Sequence, residues 1–113
     1  GISLAVALIS AFTNRPIRRD VSMTGEITLR GRMLPIGGLR EKALAARRSG
    51  IKTFVLPRKN RSDLQDIPKK LRQDIKFVLA DHVDDVLEVV LLPAVQKNGK
   101  DKRRKKGKSK TDL

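Results

Sequence analysis

The apolar pattern of residues 1–14 predicts a helix that is hydrophobic on nearly every face. Ile2, Val6, Ile9 and Phe12 recur at helical spacing, and Leu and Ala fill most of the positions between them. A helix of this kind is normally central and buried, so we expect the same here. Pro16 ends the helix, because proline disfavours helix in the residue before it and cannot continue the hydrogen-bond ladder.

The rest of the chain predicts strands that alternate with helices. Short strands are expected over 21–23, 26–30 and 32–36, with a hairpin around Gly31. A helix then follows Gly37-Gly38 and stops at Gly50. The second half predicts a strand over 52–56, a polar loop over 58–66, a short helix after Pro68, a strand over 75–80 and a helix over 82–92 capped by Asp81.

This order of elements predicts an α+β fold with at least some parallel strand pairing. The chain has 113 residues, enough for one small domain in which helices pack on short mixed strands. The absence of cysteine and the single histidine, His82, exclude disulfides, Cys nucleophiles and metal clusters built on Cys or several His. We expect no metal site, since a solvated helix start explains His82. Three Phe without Trp or Tyr leave little for stacking on bases.

The net charge of +14 is unevenly distributed. Residues 96–113 hold nine basic and two acidic residues and are predicted to be a disordered basic tail, whereas residues 1–95 form the folded domain. Such a tail can bind phosphate groups without recognising a nucleotide sequence. Two interpretations stay open: the chain is a non-catalytic module that contacts DNA or polyphosphate through the tail, or the tail only aids solubility. A structural or assembly module is a further alternative.

The start of the chain has no capping residue and no initiator Met. A signal peptide needs a basic leader, and a membrane span needs roughly 20 apolar residues, whereas this run reaches charge at Arg15. We therefore expect a piece of a longer protein, with no membrane contact.

Lys42 is the one charge on the small-residue arc of the second predicted helix. At about 100° per residue, Leu39, Ala43 and Ala46 share one side of that helix, and Lys42 falls between Ala45 and Ala46. Either its stem lies on apolar surface while its ammonium reaches water, or partial burial disfavours the ammonium. In the second case a neutral amine is available as a general base, as in Ser-Lys hydrolases.

Other candidate residues give weaker signals. Thr24 either hydrogen-bonds an amine or satisfies a sheet edge, and Glu26 has several arginines available as partners. Gly37-Gly38 at a helix start could bind an anion, but close packing is the better explanation because no phosphate-loop spacing accompanies it.

The run TGEITLRGRMLPIGGLREKALAA (24–46), followed by Gly50-Ile51-Lys52-Thr53, resembles the proteolytic domain of the Lon family of ATP-dependent proteases. The resemblance covers about residues 1–92 and omits the basic tail. It implies a Ser-Lys dyad peptidase in which Lys42 is the general base and Thr24 supports the lysine. The family's nucleophilic serine would lie two residues upstream of Gly1, so the chain as given lacks its nucleophile and we expect it to be inactive alone.

The same resemblance implies the partners of the parent protein. It would form a homohexameric ring, degrade unfolded or damaged protein, and carry an upstream ATPase module that uses ATP and Mg. No cofactor is expected in the present chain. The implied location is the bacterial cytoplasm, with the mitochondrial matrix as the alternative. Ser3 and Ser10 lie within the first helix rather than on its leading turn, so neither is expected to replace the nucleophile.

Overall fold

A computed structural model describes residues 1–95 of the chain. The predicted basic tail, residues 96–113, lies outside the described residues, and the division of the chain into domain and tail stays a prediction. The elements in chain order are α1 (Ile2–Thr13), β1 (Val21–Met23), β2 (Glu26–Ile27), β3 (Met33–Leu34), α2 (Leu39–Arg48), β4 (Thr53–Pro57), a 3-10 helix (Arg58–Asp66), α3 (Lys69–Asp74), β5 (Lys76–Ala80) and α4 (Val83–Val90).

The centre of the fold is a parallel sheet of three strands in the order β1-β4-β5. Val21 pairs with Thr53, and Thr53 pairs in turn with Lys76. Every residue of β4 is buried, as expected for a parallel strand covered on both faces. β2 and β3 form a separate antiparallel pair, which confirms the predicted hairpin around Gly31 and the α+β class.

Helices cover both faces of the sheet and create two apolar cores. Val55 of β4 belongs to a first core, which also contains residues of α1 and α4, among them Val6 and Val86. Phe54 and Leu56, its neighbours in β4, belong to a second core with residues of α2 and α3. The alternation of side chains along one strand therefore divides the interior in two.

The structure does not bury α1 as the sequence predicts. Ile2 and Val6 are buried against the first core, whereas Leu4, Leu8 and Phe12 are 65%, 52% and 87% exposed. The prediction of a central, buried helix is therefore wrong for the described residues. The physical reason is that α1 lies in the outer layer and that residues 1–95 supply no further layer over its other side.

The second predicted helix is confirmed, including its buried side. Leu39, Ala43 and Ala46 are the buried residues of α2. Gly38 precedes the helix with a φ of 66°, a left-handed conformation that glycine adopts without strain. Gly50 follows the helix and its N–H donates to the Arg47 carbonyl, which confirms the predicted stop.

Two predictions in the second half of the chain are wrong in detail. The polar segment predicted as a loop forms the 3-10 helix, and its one buried residue is Asn60. The cap of α4 is His82 rather than Asp81. The His82 Nδ1 accepts from the Asp84 N–H, and the Asp85 carboxylate accepts from the His82 N–H, so both halves of a capping box are satisfied.

His82 also fastens the β2–β3 turn to α4. Because Nδ1 accepts a hydrogen bond, Nε2 carries the proton and donates to the Arg30 carbonyl at 2.8 Å. Among residues 1–95, no three His, Asp or Glu side chains are grouped so as to hold a metal ion. Over the same residues, no helix is both long enough and apolar enough to span a membrane.

Phe54→Ala should destabilise the chain by about 3–5 kcal/mol, because Phe54 is 1% exposed and its ring packs edge-on against Phe77. Phe12→Ala is the matched control, since Phe12 is 87% exposed and should change the free energy of unfolding little. Urea unfolding of the two variants measures the difference. Equal shifts of the midpoint would contradict the two-core arrangement.

Gly31→Ala should destabilise the chain more than Gly50→Ala does. Both glycines have positive φ, at 86° and 80°, so each substitution costs about 1–2 kcal/mol of backbone strain. A Cβ on Gly31 would also lie 2.8 Å from the His82 ring, whereas one on Gly50 meets nothing within 4 Å. Thermal unfolding of both variants tests this, and similar losses would show that His82 does not pack against the turn.

Candidate active site

Lys42 lies in the first turn of α2 and lines an open cavity of about 410 Å³. Its N–H donates to the Gly38 carbonyl, and its Nζ lies 4.0 Å from where a Cβ on Gly38 would be. The side chain thus extends back over the start of the helix, the direction in which helical side chains point. Lys42 is exposed, which fits the first of the two interpretations of the sequence, an ammonium that reaches water, rather than partial burial of the amine.

Thr24 lines the same cavity from the end of β1. Its N–H donates to the Val55 carbonyl at 3.0 Å, which fixes its backbone against the central strand. The structure therefore brings the two predicted site residues to one cavity. Within residues 1–95 no hydrogen bond joins the Thr24 hydroxyl to the Lys42 ammonium.

Other polar side chains of this cavity were not singled out by the sequence. Ser22 projects from β1 and Ser49 follows α2, and Met23 completes the β1 side. In the sequence, Ser22 stands out only as a polar residue within a short predicted strand, and Ser49 only as a residue at the end of a predicted helix. Neither feature indicates a place in a cavity. The lining thus combines one primary amine with three hydroxyls, and it includes no carboxylate among the described residues.

The start of α1 lies beside Thr24. The Ile2 N–H donates to the Gly25 carbonyl at 2.9 Å. A second cavity, of about 400 Å³, is lined by Gly1 and Ser3 on one side and by Thr24 and Glu26 on the other. Thr24 lines both cavities, so it neighbours the cavity of Lys42 and the cavity at the start of α1.

The two serines of α1 occupy different surroundings. Ser10 donates to the Arg15 carbonyl at 2.6 Å and so helps to end the helix. Ser3 is exposed and lines the second cavity, which Lys42 does not line.

An arginine fixes the start of β1. Arg18 donates to both carboxylate oxygens of Asp20 and to the Val89 carbonyl of α4. The hydrogen bond from Arg18 holds the pKa of the Asp20 carboxyl below its ordinary value. The Asp20 carbonyl in turn accepts from the N–H groups of Lys52 and Thr53, which sets the register of β1 on β4.

The turn formed by Gly37 and Gly38 does not fit an anion. The charged residues that line the cavity beside it are Arg40, Glu41, Asp63 and Asp66, and their net negative charge opposes an anion. Close packing does not explain the glycines either, because a Cβ on Gly37 would meet nothing within 4 Å. The predicted packing role is wrong, and the positive φ of Gly38 is what requires glycine there.

Comparisons with known proteins identify the domain. Residues 1–93 match the family described as Lon protease (S16) C-terminal proteolytic domain. A Lon protease from Desulfatibacillum aliphaticivorans is 53% identical over 97 residues, which are 86% of this chain and 12% of that protein. Lon protease 1 of Bacillus subtilis (strain 168) is 55% identical over 92 residues, 81% of this chain and 12% of that protein.

A Lon protease from Chloroflexus aggregans is 52% identical over 103 residues, 88% of this chain and again 12% of that protein. The chain thus spans about 12% of the length of these relatives. The match runs through the segments that hold Thr24 and Lys42 and stops before the basic tail. Since the family covers nearly all of the described residues, the chain belongs to the Lon protease family of hydrolases, as part of the C-terminal proteolytic domain.

Proposed function

We propose that this chain supplies the general base, Lys42, of a Ser-Lys dyad endopeptidase. The observation that supports the proposal best is the meeting of three separate segments around Thr24. These are the first turn of α2 with Lys42, the end of β1, and the start of α1 at Gly1. A serine two residues before Gly1 would extend from the end of α1 that is hydrogen-bonded to Gly25, next to Thr24.

In this proposal the neutral Lys42 amine takes the proton of the serine hydroxyl as the serine oxygen attacks a peptide carbonyl. The lysine then returns the proton to the leaving amine, and the acyl group stays on the serine. A water molecule, deprotonated by the same amine, hydrolyses the ester and frees the serine. The Thr24 hydroxyl accepts a hydrogen bond from Nζ and thereby orients its lone pair.

The exposure of Lys42 adds a requirement to this mechanism. A general base acts in its neutral form, and desolvation or a cationic neighbour makes the neutral form of an amine more accessible. The proposal therefore includes a cover over the cavity in the working enzyme, supplied by other parts of the protein or by the bound peptide.

We also propose, from the family, that the full-length protein is an ATP-dependent protease of the bacterial cytoplasm. Its substrates would be unfolded or damaged proteins, and its working form a homohexameric ring. ATP and Mg would bind an ATPase module elsewhere in the protein, since residues 1–95 contain no phosphate-loop spacing.

Lys42→Ala in a full-length Lon protease that carries these residues should lower peptide hydrolysis by about a thousandfold or more, because the base is lost. ATP hydrolysis should be largely retained. Lys70→Ala is the matched control, since Lys70 is an exposed lysine of α3 outside the cavity. Peptidase and ATPase assays measure both activities, and their joint loss in Lys42→Ala would indicate a structural role.

Thr24→Val should lower kcat by about 10–100-fold, because a hydrogen bond to an amine is removed while the shape of the side chain is kept. Ser49→Ala removes another hydroxyl from the same cavity and should change kcat little. Measuring kcat of the two variants with a peptide substrate tests whether the Thr24 hydroxyl supports Lys42. Equal losses would assign Thr24 no role beyond lining the cavity.

The 113-residue chain by itself should hydrolyse no peptide, because its proposed nucleophile lies outside it. A fluorogenic peptide assay at high protein concentration measures this. Hydrolysis that disappears in Lys42→Ala would contradict the proposed nucleophile and would point instead to a serine within the chain.

The basic tail supports a second, independent proposal of nonspecific phosphate binding. Nine cations within residues 96–113 should bind duplex DNA or polyphosphate with an affinity that falls steeply with salt. Deletion of residues 97–113 should abolish this binding in a salt titration by fluorescence anisotropy. Binding that survives the deletion would assign the interaction to residues 1–96.

A further inference from the structure

Asn60 is a buried polar residue in a segment that is otherwise exposed or half-buried. It is 2% exposed, and Thr53 is the other buried polar residue among residues 1–95. The 3-10 helix that contains Asn60 buries no other side chain. Because a buried amide is costly unless it is hydrogen-bonded, its partners show what it holds in place.

Asn60 binds both backbone groups of a single residue, Ile36. Its Oδ1 accepts from the Ile36 N–H at 2.8 Å, and its Nδ2 donates to the Ile36 carbonyl at 2.8 Å. The second Nδ2 hydrogen donates to the Asp63 carboxylate at 2.6 Å, so both amide donors are used. Two bonds to one residue fix the orientation of its backbone as well as its position, as a neighbouring strand would.

The segment from Ile36 to Lys42 depends on this attachment. Gly37 and Gly38 connect Ile36 to α2, and the helix start has no side-chain cap. Glycine allows more backbone conformations than any other residue, so this connection does not fix the direction of the helix by itself. The Lys42 N–H donates to the Gly38 carbonyl in the first turn of the helix. The position of Lys42 therefore depends on the position of Gly38.

The segment with Thr24 and the segment with Lys42 are both attached to β4. Thr24 is held directly, because its N–H donates to the Val55 carbonyl. Lys42 is held indirectly, through Ile36 and Asn60, since the 3-10 helix begins immediately after Pro57, the last residue of β4. Leu39, Ala43 and Ala46 pack α2 as a whole on the second core, and the hydrogen bonds between Asn60 and Ile36 fix the backbone from which its first turn starts.

We propose that Asn60 is a positioning residue for the proposed dyad: by binding the Ile36 backbone it sets where the Lys42 amine lies relative to Thr24. The inference rests on the proposed role of Lys42. Asn60 does not line the cavity that contains Lys42, and its side-chain hydrogen bonds go to Ile36 and Asp63, so its effect on Lys42 passes through Ile36 and the glycine turn.

The test uses a full-length Lon protease that carries these residues. Asn60→Leu removes all three hydrogen bonds while keeping a side chain of similar size. We expect kcat for a peptide substrate to fall about 10–100-fold, because a base displaced by roughly 1 Å loses that much rate. KM should stay within about twofold, since the substrate contacts are unchanged. ATPase activity and ring assembly should be retained.

Two further variants separate positioning from stability. Leu71→Ala empties part of the second core, against which Ile36 also packs, but keeps both hydrogen bonds between Asn60 and Ile36. It should therefore destabilise the domain and leave kcat near that of the unmodified enzyme. Asp63→Ala removes only the third hydrogen bond of Asn60 and keeps both bonds to Ile36, so its kcat should lie between those of Asn60→Leu and the unmodified enzyme. This milder variant decides the question where Asn60→Leu fails to assemble.

The outcomes distinguish this inference from the proposed function. An inactive Lys42→Ala beside an Asn60→Leu with unchanged kcat would overturn the role of Asn60 alone. Parallel losses of kcat in Asn60→Leu and Leu71→Ala would also overturn it, as would a raised KM at unchanged kcat. Full proteolysis in Lys42→Ala would overturn the proposed function, and the role of Asn60 with it.

Discussion

The burial of β4 between two parallel neighbours is the constraint on which the rest of the structure depends. Its hydrogen bonds to β1 and β5 satisfy the backbone on both edges, and its side chains alternate between the two cores. Helices α2 and α3 pack in the core that contains Phe54 and Leu56, and helices α1 and α4 pack in the core that contains Val55. The segments around the candidate site are held to this strand, one through Thr24 and the other through Asn60.

Elements whose signals are local could be predicted from the sequence. The spacing of Leu39, Ala43 and Ala46 identifies the buried side of α2, and Gly31 marks the hairpin, because each signal lies within the element itself. The 3-10 helix could not be predicted in this way. Its polar residues have no clear period, and its buried residue, Asn60, is stabilised by Ile36, which is distant in the chain.

In the candidate site too, the features with a local signal could be predicted and those that depend on distant segments could not. Helix geometry and family resemblance both point to Lys42, and the structure brings Lys42 and Thr24 to one cavity. The degree of burial was not predictable, because a helical wheel gives the direction of a side chain and not what covers it. Lys42 extends over Gly38, which has no side chain to cover it, and Phe12 extends from a helix with no layer outside it among residues 1–95.

The parallel pairing of β1 with β4 also affects how the chain folds. Val21 meets Thr53 only after the intervening hairpin and α2 have been brought round, so this contact closes a long loop and carries a large entropic cost. Helices and the hairpin depend on local contacts and form on faster timescales than such nonlocal pairing. The Thr24 N–H is bonded to Val55 only once β1 has paired with β4, so the two sides of the candidate site come together through this nonlocal pairing.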